Sequence, residues 1–140
     1  MYLEEKKHIR YISELGKENS KISKEKLILN LSTLNSFVRD AVVELLVKNN
    51  DVDFLCKNIN NEHRYVRRGI VQALGRIGGT KAYNQIIESL EDEEWGVRMY
   101  AAEALGNSGE SKYSVFLKKL LTDVHEWPRE EAKRALNKLN

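Results

Sequence analysis

Ten-residue blocks recur along this chain, and a recurrence of this kind leaves few folds open. Val66-Arg67-Arg68-Gly69-Ile70-Val71-Gln72-Ala73-Leu74-Gly75 lines up with Val97-Arg98-Met99-Tyr100-Ala101-Ala102-Glu103-Ala104-Leu105-Gly106 and with Pro128-Arg129-Glu130-Glu131-Ala132-Lys133-Arg134-Ala135-Leu136-Asn137. The anchors Val66, Val97 and Pro128 lie 31 residues apart. Val38-Arg39-Asp40-Ala41-Val42-Val43-Glu44-Leu45-Leu46 fits the same template 28 residues before Val66, and a degenerate copy opens at Lys7. Periods of this length belong to stacked helical solenoids, in which each repeat buries its apolar face against its neighbours.

Two further columns, not used to set the alignment, agree with it. Seven residues before the anchors stand Leu31, Ile59, Leu90 and Leu121, and eleven before them Leu27, Leu55, Ile86 and Leu117. Apolar residues four apart share one face of a helix. Each repeat therefore reads as a helical hairpin, with a first helix carrying these columns and a second beginning near the anchor.

Helix signals place the boundaries. Ser23, Asp51, Thr80 and Ser111 are candidate N-caps for first helices over about 24–31, 52–59, 81–91 and 112–122. Pro128 suits a first helical turn, and Gly78-Gly79 and Gly109 break the chain between repeats. The expected architecture is all-α: a right-handed α-solenoid of about four helical hairpins behind an N-terminal capping helix. It forms a single domain over 1–140, with the cap at 1–19 and repeats at 20–49, 50–78, 79–109 and 110–140. A degenerate first copy and a polar Asn137-Lys138-Leu139-Asn140 end are what terminal repeats should show.

Composition narrows the functional classes. With 23 basic and 21 acidic residues the net charge is +2, which gives no broad basic field for nucleic acid. No apolar run approaches the roughly 18 residues of a membrane span, and the N-terminal residues carry no signal-peptide core. The lone Cys56 forms no internal disulfide, in keeping with a cytoplasmic location.

The pattern Asp-x4-Val-Arg-x2-Ala-Ala-x-Ala-Leu-Gly, best matched by Asp92 with Val97-Arg98, resembles HEAT repeats, in particular the short phycobilisome-lyase HEAT-like type. Asp123 with Arg129 keeps the polar pair although Pro128 replaces valine, whereas Asn61 and Thr33 stand where the earlier repeats should carry aspartate. The resemblance implies that the arginine column Arg39, Arg67, Arg98 and Arg129 pairs with aspartates of its own or neighbouring repeats. Asp92, Arg98, Asp123 and Arg129 then form a structural ladder, with Arg67 and Arg39 the freer members.

Chemistry is hard to find in this sequence. His63 and His125 sit three residues before their anchors in equivalent positions two repeats apart, with His8 elsewhere, so they read as capping or surface residues rather than metal ligands. Cys56 falls in an apolar column with Ile28 and Ile87 and reads as a small buried hydrophobe. Glu93-Glu94 and Glu130-Glu131 sit at helix starts, where acidic groups favour the dipole. Phe37, Tyr65, Trp95 and Trp127, entering the second helices, read as aromatic staples. Glycines 75, 78 and 79 read as repeat punctuation, with no phosphate-loop sequel. No enzyme, metal or cofactor is expected.

The remaining surface is the ridge of the second helices, which the resemblance places on a concave face. Positions two, three, six and ten after each anchor are expected to point outward. Among them Met99 and Tyr100 are large and adhesive, Gly69 is expected to leave a shallow dip, and Asp40, Glu44, Glu103, Glu130 and Glu131 would repel phosphates. The expected function is a protein-interaction scaffold that takes a partner protein or peptide at Arg68, Gln72, Met99, Tyr100 and Glu103. The alternatives are an immunity or antitoxin protein that occludes a toxin, a nucleic-acid-binding repeat protein, and a bilin lyase-like protein.

Overall fold

The helices form where the apolar columns predict them. The computed structural model describes residues 2–140; Met1, the first residue of the expected cap, lies outside the described residues. Contacts gather the chain into two compact units, one ending at Ala73 and one running from Leu74 to Asn140, with the division inside a helix. No strand occurs among the described residues.

The first unit holds α1 (Tyr2–Glu18), α2 (Lys21–Asn30), α3 (Ser36–Asn49), α4 (Val52–Asn58) and most of α5 (Arg64–Ile77). Helix α1 packs on α2 and α3, and α2 packs on α3. The second unit holds the end of α5, then α6 (Thr80–Ser89), α7 (Trp95–Asn107), the single turn α8 (Ser114–Leu117) and α9 (Glu126–Leu139). Helix α7 packs on α6 and extensively on α9.

Leu27, Leu55, Ile86 and Leu117 are 0, 1, 0 and 0 % exposed, so this column is the spine of the core. Leu31, Ile59 and Leu90 are buried as well, but Leu121 is 37 % exposed and Leu120 takes its place. The cause is local winding. The expected helix over 112–122 is a composite, with 3₁₀ turns at Ser111–Tyr113 and Lys118–Thr122 on either side of α8. A 3₁₀ turn eclipses residues three apart instead of bringing i+4 round, so Leu120, three after Leu117, faces inward. Leu120→Ala should therefore cost about 2–3 kcal/mol and Leu121→Ala about 1 kcal/mol or less. Urea denaturation of the two variants checks this, and equal losses would mean an α-helical register.

Three caps differ from the sequence reading. The N-cap of α2 is Ser20, not Ser23; Ser23 is its N3 partner, each side chain accepting the other's backbone N–H in a capping box. Helix α6 starts at Thr80 behind Gly79, whose φ of +93° follows a φ of +76° at Gly78. The turn is made by left-handed backbone at two glycines, so no side-chain cap is present there. Ser111 begins a 3₁₀ turn behind Glu110 and caps nothing. Asp51 does cap α4, accepting the Phe54 N–H at 3.1 Å. Gly75 lies inside α5, so it is not punctuation.

Candidate functional site

The turn from first to second helix is built the same way in every repeat. At its start stand Thr33, Asn61, Asp92 and Asp123. The side-chain oxygen of each accepts the backbone N–H two residues on, from Asn35, His63, Glu94 and His125, at 3.2, 2.9, 2.9 and 2.9 Å. The carbonyl of each accepts Nη1 of the arginine six residues on: Arg39 at 2.7 Å, Arg67 at 2.9 Å, Arg98 at 2.8 Å and Arg129 at 2.7 Å. Hydroxyl, amide and carboxylate all supply the first bond, and the second needs only main chain. This is why the turn survives where aspartate is absent. The carbonyl contact has no signature in side-chain identity, and the sequence reading missed it.

The charged rung that exists within the second unit is Arg98 with Asp123. Nε and Nη2 of Arg98 meet the two carboxylate oxygens at 2.8 and 2.9 Å, and the side chains are 13 and 7 % exposed. This is the fork geometry that favours arginine over lysine. The Arg98 hydrogen bond, opposed by burial and aided by the His125 N–H, holds the Asp123 carboxyl below its ordinary value of 3.8. The carboxylate of Asp92 bonds Glu94 N–H, while its carbonyl serves Arg98. Arg129 engages the Asp123 carbonyl rather than its carboxylate. Arg67 is not a freer member: it is 7 % exposed and Nη1 donates to the carbonyls of Asn61 and Glu62.

The five proposed contact residues fall in different units: Arg68 and Gln72 on α5 in the first, Met99, Tyr100 and Glu103 on α7 in the second. All five are half-buried. Two positions expected on the open ridge are buried. Gly69 is buried and leaves no dip: a β-carbon there would lie 2.6 Å from Leu31 Cδ2 of α2, so the space is filled. Glu131 is 5 % exposed, with Arg134 Nη1 at 2.6 Å, and burial raises its carboxyl above the ordinary glutamate value. Both stand three residues after their anchors. Three residues turn a helix to within about 60° of its starting direction, so this position flanks the buried face rather than opposing it.

The aromatic entries to the second helices are not staples as a set. Phe37 and Trp127 are 68 and 54 % exposed. Trp95 stacks on His125 with ring centroids 4.3 Å apart and planes 3° from parallel. Tyr65 is half-buried beneath three guanidinium groups, those of Arg39, Arg64 and Arg68, at 4.5, 5.1 and 5.1 Å from its centroid.

The second unit also contains a pocket of about 530 Å³ that no pattern in the sequence signals. Ile87, Leu90, Phe116 and Leu120 form apolar walls, Arg98 and Asp123 line it too, and Lys119 pairs with Glu91 at 3.6 Å on its edge. It depends on the tight winding that turns Leu120 inward. Its lining combines these apolar walls with the charged side chains of Glu88, Glu91, Asp92, Arg98, Lys119 and Asp123.

Residues 52–137, more than half of the chain, match the family described as HEAT repeats. The chain is a HEAT-repeat protein. Its fold class is the α-solenoid. Among solved structures, a crystal structure of an engineered protein resembles it with a TM-score of 0.54 and 21 % identity, covering 84 % of this chain and 62 % of that one. Human deoxyhypusine hydroxylase in complex with glycerol resembles it with a TM-score of 0.65 and 17 % identity, covering 99 % of this chain and 46 % of that one. The chain thus spans less than two thirds of either protein, and at these identities the likeness concerns fold alone. No curated protein matches the sequence.

In this HEAT-repeat chain the histidines are structural. Nδ1 of His63 accepts the Tyr65 N–H and Nδ1 of His125 the Trp127 N–H, each at 3.2 Å at the start of a second helix, and His8 Nε2 meets Asn30 Oδ1 at 2.7 Å. Glu94 caps α7, accepting the Val97 N–H at 3.0 Å. Cys56 is half-buried rather than buried. Among the described residues no group of three or more His, Cys, Asp or Glu is placed to hold a metal, and no helix is long and apolar enough to cross a membrane.

Proposed function

We propose that this HEAT-repeat chain is a non-enzymatic scaffold that takes a partner protein or peptide on the ridge of its second helices. One observation carries the reading. The turn arginines and histidines are engaged in holding the repeats, whereas Arg68, Gln72, Met99, Tyr100 and Glu103 keep part of their surface open. Tyrosine, methionine and arginine are the side chains from which binding hot spots are built. Side chains carried on prefolded helices also lose little conformational freedom when a partner docks. The cytoplasm is the proposed setting.

The test is affinity capture from native cells with mass spectrometry, comparing the unaltered chain with a Met99→Ala/Tyr100→Ala variant of unchanged helical circular dichroism. A specific partner should be recovered by the first and reduced at least about tenfold with the second, the scale of one hot-spot side chain. Equal recovery by both would remove this ridge as the contact.

A further inference from the structure

Arg98 uses both edges of its guanidinium. Nη1 donates to the turn carbonyl of its own repeat, while Nε and Nη2 close on the Asp123 carboxylate of the next one. Arg129 stands in the same column in the repeat of α9 and makes the first contact alone, Nη1 donating to the Asp123 carbonyl at 2.7 Å. That bond fixes the group as it is fixed at Arg98, so the Nε–Nη2 edge is presented the same way. Among the described residues no carboxylate pairs with it: Glu130 pairs with Lys133, and the exposed Glu126 forms no ion pair with it. Arg129 is half-buried and keeps surface for a molecule from outside.

A further helix does not fit beside α9 as α9 fits beside α7. The face of α7 that meets α9 is small, with Ala102 buried and Gly106 against Ala135. The equivalent positions of α9, five and nine after the anchor, are Lys133 and Asn137, both exposed. The turn before α9 has the opposite character. Val124 is 96 % exposed where Glu62 and Glu93 stand in the two preceding repeats, and Trp127 is exposed as well. The carbonyl that Arg129 holds belongs to the peptide joining Asp123 to Val124, so the open edge and the apolar ledge are neighbours. At Arg98 the carboxylate also arrives with apolar company, since Phe116 and Leu120 of the same repeat line the pocket beside Asp123.

We infer that the turn from Asp123 to Arg129 docks a short acidic segment of a partner polypeptide. Its carboxylate closes on Nε and Nη2 of Arg129 as Asp123 closes on Arg98, and an apolar side chain next to it covers Val124 and Trp127. The fork matches a carboxylate in two parallel bonds, which lysine could not offer. Glu126 and Glu130 flank the site and are exposed, so one carboxylate is accommodated where a row of phosphates is repelled. The site lies on a turn and not on the ridge of second helices, so it goes beyond the scaffold reading above.

The probe is a capped pentapeptide, serine-leucine-aspartate-leucine-serine, titrated into the nitrogen-15-labelled chain at low salt and followed by NMR, with its asparagine counterpart and inorganic phosphate as controls. The aspartate peptide should shift the Arg129 Nε–H, the Val124 amide and the Trp127 indole together and saturably. The asparagine peptide should bind at least about tenfold more weakly, roughly the loss of one charge-assisted contact. Two variants separate binding from folding. Arg129→Lys keeps the charge without the fork, and Val124→Glu restores the residue of the preceding repeats at an exposed position, so its melting temperature should not change. Each should weaken the aspartate peptide about tenfold. Equal binding of the asparagine peptide, unchanged affinity in Val124→Glu, or phosphate displacing the peptide at equal concentration would overturn the inference. A dimer in sedimentation that Arg129→Lys dissolves would also overturn it, by making a second copy the occupant. Met99→Ala/Tyr100→Ala should bind the peptide unchanged, so this site and the ridge can fail separately.

Discussion

Asp123→Ala is expected to destabilise the protein by about 3 kcal/mol, the low end of the cost of leaving one partner of a buried ion pair alone. Arg98 would keep the Asp92 carbonyl but lose both bonds of its fork, and the His125 N–H would lose its acceptor at the same time. Chemical denaturation measures the loss. The companion double variant Arg98→Met/Asp123→Leu should recover most of it, because an apolar pair of similar volume removes the need to desolvate charge. A double variant no better than the single one would place the energy in the turn and not in the pair.

The same residue sets a pH dependence whose sign is fixed. Arg98 holds the folded carboxyl below its ordinary 3.8, so the native state binds the proton less readily than the unfolded chain. Its contribution is full above the unfolded value and is lost as pH falls through the lower folded one. Glu131 acts in the opposite sense: burial raises its folded value, so protonation relieves the native state as pH falls through that raised value. Acid titrations of Asp123→Ala and of the unaltered chain should converge at low pH.

Gly106→Val should cost about 3 kcal/mol, the upper range for overpacking. A β-carbon at Gly106 of α7 would lie 2.7 Å from Ala135 Cβ and 2.8 Å from Ala135 Cα of α9. The obstacle is backbone, so relief requires a helix to move. Even Gly106→Ala, which in an open helix gains about 1 kcal/mol, should be net destabilising here. A raised melting temperature for that variant would mean that α7 and α9 separate at little cost.

The repeat period and the spine of Leu27, Leu55, Ile86 and Leu117 were legible because burial on a helix is periodic and side-chain chemistry reports it. What escaped was mostly geometry within a turn. Ser20-x-x-Ser23 contains both halves of a capping box, and composition alone does not tell which serine starts the helix. Leu120 and Leu121 are both apolar, so nothing in their identity tells which faces inward once the helix tightens. Counting positions places Gly69 and Glu131 on the open ridge, but every third residue of a helix lies close to the buried face. The proposed contact residues Arg68, Gln72, Met99, Tyr100 and Glu103 follow from the repeat alignment, but their surroundings do not. The gathering of arginines on Tyr65 depends on α3 and α5 meeting, which no local pattern encodes.

The bond from each arginine to a main-chain oxygen six residues earlier has a consequence for how such a family can diverge. Mutation cannot delete a carbonyl, so the bend tolerates drift at the site where a family profile looks for aspartate. Successive copies can therefore acquire different electrical characters while keeping one shape, and a lineage can retune single joints without rebuilding the frame.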